Sequence, residues 1–119
     1  MAKILVVDDS PVERLALQEV LGRNGYQVLT AENGEQAIAR SRSDHPDLIL
    51  MDVVMPGMNG YQATRTISRD DETRDIPIIM CTSKGQETDK IWGMRQGALD
   101  YLVKPVDHDE LLARIRAMG

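Results

Sequence analysis

Lys3-Ile4-Leu5-Val6-Val7-Asp8-Asp9-Ser10-Pro11-Val12-Glu13 passes from an apolar run through two acids into a helix start, and that order sets the architecture. Lys3 to Val7 is short and nearly all apolar, as expected of a strand buried on both faces of a parallel sheet. Ser10-Pro11-Val12-Glu13 then places a hydroxyl at the N-cap, proline at the first helical position and glutamate at the third, a capping box. A buried strand leading directly into a helix points to alternating α/β architecture.

The alternation continues along the chain. Similar apolar runs predict strands at Gln27 to Thr30, Asp47 to Met51, Ile76 to Cys81 and Leu99 to Val103. Amphipathic stretches predict helices at about Pro11 to Arg23, Gly34 to Ser43, Gly60 to Arg69, Gln86 to Gln96 and Asp107 to Met118. In the first helix Leu15, Leu17, Val20 and Leu21 are expected on the sheet side, and Asn24-Gly25 ends it with residues that tolerate positive φ. Asp44-His45-Pro46 stops the second helix, and Asp75-Ile76-Pro77 opens the fourth strand. Five strands alternating with five helices make an α/β sheet.

The 119 residues, 42% hydrophobic and 28% charged, suit one compact domain spanning 1–119, with no linker, repeat or low-complexity tract. One Cys, Cys81, cannot form an internal bridge; inside an apolar run it suits inert core in a reducing compartment. The start is too short for a signal or membrane segment, so a cytoplasmic protein without membrane insertion is expected. Nineteen acids against fourteen bases, net charge -5, argue against a nucleic-acid surface built on phosphate neutralisation.

The acids matter more for their positions than for their sum. In parallel α/β sheets functional residues gather beyond the strand C-termini, which selects Asp8, Asp9, Asp52, Thr82 and Lys104 for one edge of the sheet. Two neighbouring acids and a third from another strand repel one another and call for a cation. Mg²⁺, which takes one or two carboxylates and completes its shell with waters and phosphate oxygens, fits better than zinc, since Cys81 is alone and His45 and His108 lie at helix boundaries. A carboxylate can also be the nucleophile toward phosphorus, with a lysine and a hydroxyl steadying the transferred charge. Asp52 stands alone on its strand and has an oxygen free to attack; Asp8 and Asp9 are placed as the pair holding the ion; Lys104 and Thr82 supply the cation and the hydroxyl.

Val6-Val7-Asp8-Asp9-Ser10, Leu50-Met51-Asp52-Val53-Val54-Met55-Pro56-Gly57-Met58-Asn59-Gly60, Cys81-Thr82-Ser83 and Tyr101-Leu102-Val103-Lys104-Pro105, in this order, resemble the motif set of CheY-type response-regulator receiver domains across the whole chain. The resemblance implies a doubly wound, flavodoxin-like fold of five parallel strands in the order 2-1-3-4-5. It implies Asp52 as phospho-acceptor for a histidine kinase, and Mg²⁺ held by Asp9, Asp52, the backbone carbonyl of Val54 and, through water, Asp8. Lys104 would bind the phosphate, Thr82 would be the switch hydroxyl, and the Tyr101 ring would turn inward when Thr82 moves. The Lys104-Pro105 peptide would be cis. Val54 and Lys84 occupy the positions that tune phosphoryl lifetime in the family, and apolar Val54 points to slow loss of the phosphoryl group.

The stretch from Lys84 to Tyr101, with Asn59-Gly60-Tyr61-Gln62-Ala63-Thr64-Arg65, resembles the single-domain PilH-type regulators of type IV pilus twitching motility more than flagellar CheY. That implies a Chp-type, CheA-like chemosensory kinase as donor and a protein target on the face of the fourth helix, fifth strand and fifth helix. The protein would be a monomer before phosphorylation. Flagellar chemotaxis and a phosphate sink without a target are the alternatives. An aspartate-nucleophile phosphatase commonly has a second acid two residues after the first, where this chain has Val54, and 119 residues leave no cap domain. By the same length, the output would lie in another protein. Single residues have plainer readings: Met51, Met55, Met58 and Met80 as core or loop filling, Arg65, Arg69, Lys90 and Arg95 as solvated helix faces, and Trp92 as either sheet packing or a partner anchor.

Overall fold

A computed structural model of the protein describes residues 2–118; Met1 and Gly119, the ends of the expected 1–119 domain, lie outside the described residues. Strands β1 (Lys3–Val7), β2 (Gln27–Ala31), β3 (Leu48–Met51), β4 (Ile78–Thr82) and β5 (Asp100–Val103) alternate with helices α1 (Pro11–Arg23), α2 (Gly34–Asp44), α3 (Gly60–Arg69), α4 (Glu87–Arg95) and α5 (His108–Ala117). The sheet is parallel throughout, in the order β2-β1-β3-β4-β5. Element order and strand order are those expected from the chain, and most boundaries agree to within one residue.

Successive strand residues point to opposite faces, so each central strand feeds two cores. Ile4 and Val6 of β1 join Leu17 and Leu21 of α1 and Leu111, Leu112 and Ile115 of α5. Leu5 and Val7 join Ala37 of α2 and Ala63 and Ile67 of α3 on the other face. A third, small cluster of Val53, Met80, Ala98 and Tyr101, with Tyr61 against it, lies near α4. Met51, Met55 and Met80 are core, as expected, and Trp92 stays half exposed.

Four expectations are corrected. Leu15 is 57% exposed and does not face the sheet; Leu17 and Leu21, four apart, carry that face. The α1 capping box is half built: Ser10 Oγ accepts from the Glu13 N–H at 3.3 Å, but the Glu13 carboxylate goes to Lys104. At the α1 end, Gly25 takes φ +88°, whereas Asn24 stays at φ -96°. β4 starts after Pro77, whose carbonyl accepts from Ile49 N–H but which has no N–H to give to a ladder.

Candidate functional site

The sheet ladder runs one residue past the strands and thereby fixes the site. Asp8 N–H donates to Ala31 O (3.1 Å), Asp52 N–H to Val7 O (3.0 Å) and Lys104 N–H to Thr82 O (2.8 Å). Asp8, Asp52, Thr82 and Lys104 therefore start from backbone positions set by the core, and the first three are buried. Beneath Asp52 the chain turns through residues 53–59 into α3. Gly60 N–H donates to Val53 O at 2.9 Å, and a Cβ on Gly60 would lie 2.0 Å from the Asp52 carbonyl oxygen. Only glycine lets α3 begin this close to Asp52. Asn59 and Gln62 close a full capping box over that start.

Lys104 Nζ sits among three carboxylates: Asp8 Oδ2 at 2.7 Å, Asp52 Oδ2 at 3.4 Å, and Glu13 Oε2. Carboxylate oxygens of Asp8, Glu13 and Asp52 all lie within 4.8 Å of one another. The other oxygens of the two aspartates are also engaged, Asp8 Oδ1 by Ser10 N–H at 2.9 Å and Asp52 Oδ1 by Val53 N–H at 2.8 Å. Burial alone would lower the Lys104 pKa, but hydrogen bonds to Asp8 and Glu13, with the charges of Asp52 and Asp8, raise it, so the ammonium is held charged. Burial raises the Asp52 pKa above 3.8; the Lys104 charge opposes this, Asp8 adds to it, and the Thr82 hydroxyl and Val53 N–H favour the ionised form. The donor set is all oxygen, which suits a hard divalent cation and offers nothing to zinc.

Asp9 is exposed at the end of β1, outside this group, and the Val54 side chain is 57% exposed in the turn after β3. Thr82 is fully buried at the end of β4, its Oγ1 accepting from Lys84 N–H at 3.4 Å. The Lys104-Pro105 peptide is cis, as expected. Cys81 is free and buried, its thiol pushed up to about 12 by burial, in keeping with inert core.

Tyr101 lies with its ring already inward: the side chain is buried, the hydroxyl donates to the Lys84 carbonyl at 2.6 Å, and burial first of all raises its pKa. The Tyr61 hydroxyl stands 3.4 Å from it and donates to the Asp89 carbonyl of α4 at 3.2 Å.

Two residues of this edge escaped the sequence. Glu13 carries an ordinary capping signal, and nothing in a one-dimensional pattern says that its side chain turns to a lysine 91 positions away. Tyr61 meets Tyr101 across 40 positions. A tyrosine at the solvent edge of an apolar helix stripe was the only available hint.

The response regulator receiver domain model matches residues 4–116. Protein PilH of Pseudomonas aeruginosa is 57% identical over 118 residues, covering 99% of this chain and 98% of PilH. The chemotaxis protein CheY4 of Vibrio cholerae superposes with a TM-score of 0.92 at 34% identity, covering 98% of each chain. The receiver domain of a Pseudomonas aeruginosa sensor histidine kinase, solved with a magnesium ion coordinated in its active-site cleft, gives 0.90 at 34% identity, covering 98% of this chain and 95% of that one. A five-stranded parallel sheet of this order, an acid-and-lysine cluster at its C-terminal edge and a family match over nearly the whole chain agree: the protein belongs to the response regulator receiver domain family.

Proposed function

We infer that the chain is a phosphoryl-accepting switch in which Asp52 takes the phosphoryl group from the phosphohistidine of a histidine kinase. The observation that carries this is Asp52 itself, a buried carboxylate at the end of the central strand with Oδ2 facing the Lys104 ammonium and Oδ1 held by a backbone N–H. In-line attack by Oδ2 forms an O–P bond as the P–N bond breaks, and the imidazole leaves with the electron pair. Lys104 then stays against the transferred oxygens, and Thr82 offers its hydroxyl from the next strand. Asp8, Asp9, Asp52 and the Val54 carbonyl would hold Mg²⁺, with the all-oxygen donor set in its favour. When bound, Mg²⁺ supplies positive charge that Lys104, already shared by three acids, does not spare. The domain thus catalyses only its own phosphorylation and dephosphorylation.

The readout belongs to the face of α4, β5 and α5, where Ile91, Trp92 and Val103 are exposed apolar side chains available to a protein target. The 57% identity to PilH, end to end in both chains, supports a place in type IV pilus twitching with a Chp-type kinase as donor rather than in flagellar chemotaxis. Among the described residues no helix is long and apolar enough to cross a membrane. Labelled phosphotransfer from candidate kinases tests the acceptor: wild type is labelled in Mg²⁺, while Asp52→Asn is not and Lys104→Ala is labelled slowly. Labelling of Asp52→Asn at the wild-type rate overturns the assignment. Twitching zones of a deletion strain, restored by wild type and not by Asp52→Asn, test the pathway; a swimming defect with normal twitching overturns it.

A further inference from the structure

We propose that Tyr61 is a positioning residue: its hydroxyl pins the first turn of α4 and the inward Tyr101 ring together, and so favours the conformation in which the site binds a phosphoryl group. Tyr101 has one hydroxyl hydrogen, and the short 2.6 Å contact commits it to the Lys84 carbonyl. The Tyr101 oxygen can then only accept. The Tyr61 hydrogen is left to choose between that oxygen at 3.4 Å and the Asp89 carbonyl at 3.2 Å. One donor on α3 therefore faces both the buried ring and the α4 backbone.

The attachment matters because α4 has so little else. Gly93 is its only buried residue, and a Cβ there would lie 2.9 Å from the Tyr101 ring and 2.8 Å from Met80 Sδ. Through Gly93 the helix packs against the ring that Tyr61 touches, and the Lys84–Asp89 ion pair at 3.7 Å closes the same turn from outside. An element held by a few polar contacts opens at low cost, so removing one hydroxyl shifts its population measurably. The effect on phosphoryl binding rests on the proposed acceptor role of Asp52 and on the switch role that the family resemblance implies for Tyr101; the effect on α4 does not.

The test is Tyr61→Phe in the full chain, which keeps the ring and removes only the hydroxyl. Amide hydrogen exchange at Ile91 to Arg95 should quicken about fivefold, the yield of one modest hydrogen bond, with β3 and α3 unchanged. In Tyr101→Phe the added loss from Tyr61→Phe should be smaller than in wild type, because the oxygen it faces is already gone. Beryllofluoride affinity in saturating Mg²⁺, followed by fluorine NMR, should fall about threefold, which a merely structural role would leave unmoved. Unchanged α4 exchange, additive losses, or unchanged beryllofluoride affinity overturns the proposal. Wild-type protein that binds no beryllofluoride instead overturns the phosphoryl-acceptor reading, and the exchange data still decide whether Tyr61 holds α4.

Discussion

Helices α3 and α4 lie next to each other in the chain and are built on opposite terms. α3 buries Gly60, Ala63, Thr64 and Ile67, spaced i, i+3, i+4 and i+7, and its first residue touches the backbone of Asp52. α4, of nearly the same length, buries only Gly93 and leaves Ile91, Trp92 and Met94 about half exposed. Under the proposed function, the difference divides the labour of a switch. If Asp52 is the acceptor proposed above, the helix beneath it must not move, since a shift of the Asp52 backbone would misplace the attacking oxygen. A helix proposed to signal must move at small cost, and one buried residue with a few polar tethers suits α4 to that.

The contrast breaks first at Gly60. Gly60→Ala puts a methyl group 2.0 Å from the Asp52 carbonyl oxygen, and no flexible side chain stands there to give way. It should destabilise by about 3 kcal/mol or more in urea unfolding, with loss of phosphotransfer; a loss below about 1 kcal/mol would show that α3 yields as easily as α4. Next, Ile67→Ala empties a fully buried site and should cost about 3 kcal/mol, whereas Trp92→Ala, at 48% exposure, should cost well under about 1 kcal/mol. Equal costs would erase the difference between the helices.

Much of this was legible in the chain because it is local. The apolar run to Val7, the Asp8-Asp9 end and the Ser10-Pro11 start place β1 and α1 to the residue, and the strand-end rule then brings Asp8, Asp52, Thr82 and Lys104 to one edge. What stayed hidden depends on side-chain direction. Glu13 fits a capping box by spacing, yet a partly buried ammonium that needs partners attracts its carboxylate more strongly than one backbone N–H does. Leu15 fits the apolar count of α1, but only the stripe through Leu17 and Leu21 meets the sheet. The weak seating of α4 was equally invisible, since Ile91, Trp92 and Met94 are apolar residues that the sheet does not cover.

Gly93→Ala loads the α4 side with the same added methyl group. Alanine improves helix propensity by about 1 kcal/mol, but its methyl would lie 2.8 Å from Met80 Sδ and 2.9 Å from the Tyr101 ring. Both neighbours are side chains and can give, so the net destabilisation should be about 1 kcal/mol, far below that of Gly60→Ala. The informative signal is Tyr101: its ring resonances should shift as it leaves the inward position. A fold loss matching Gly60→Ala would show that α4 is as firmly seated as α3.

The smallest effect concerns the charge that α3 helps to bury. The folded-state pKa of Asp52 lies above the ordinary 3.8 because desolvation outweighs the pull of Lys104. Between the unfolded and the folded pKa the native state therefore binds more protons than the unfolded one, so stability falls as pH rises through that window. The contribution of this carboxyl is fully present below the unfolded value and is lost above the folded one. Asp52→Asn removes the charge and keeps the shape. Thermal unfolding should show the variant melting above wild type at pH 7, with the gap narrowing steadily as the buffer is taken down toward pH 4. A gap that widens on acidification would mean that Lys104 outweighs burial and that Asp52 stabilises the fold as an anion.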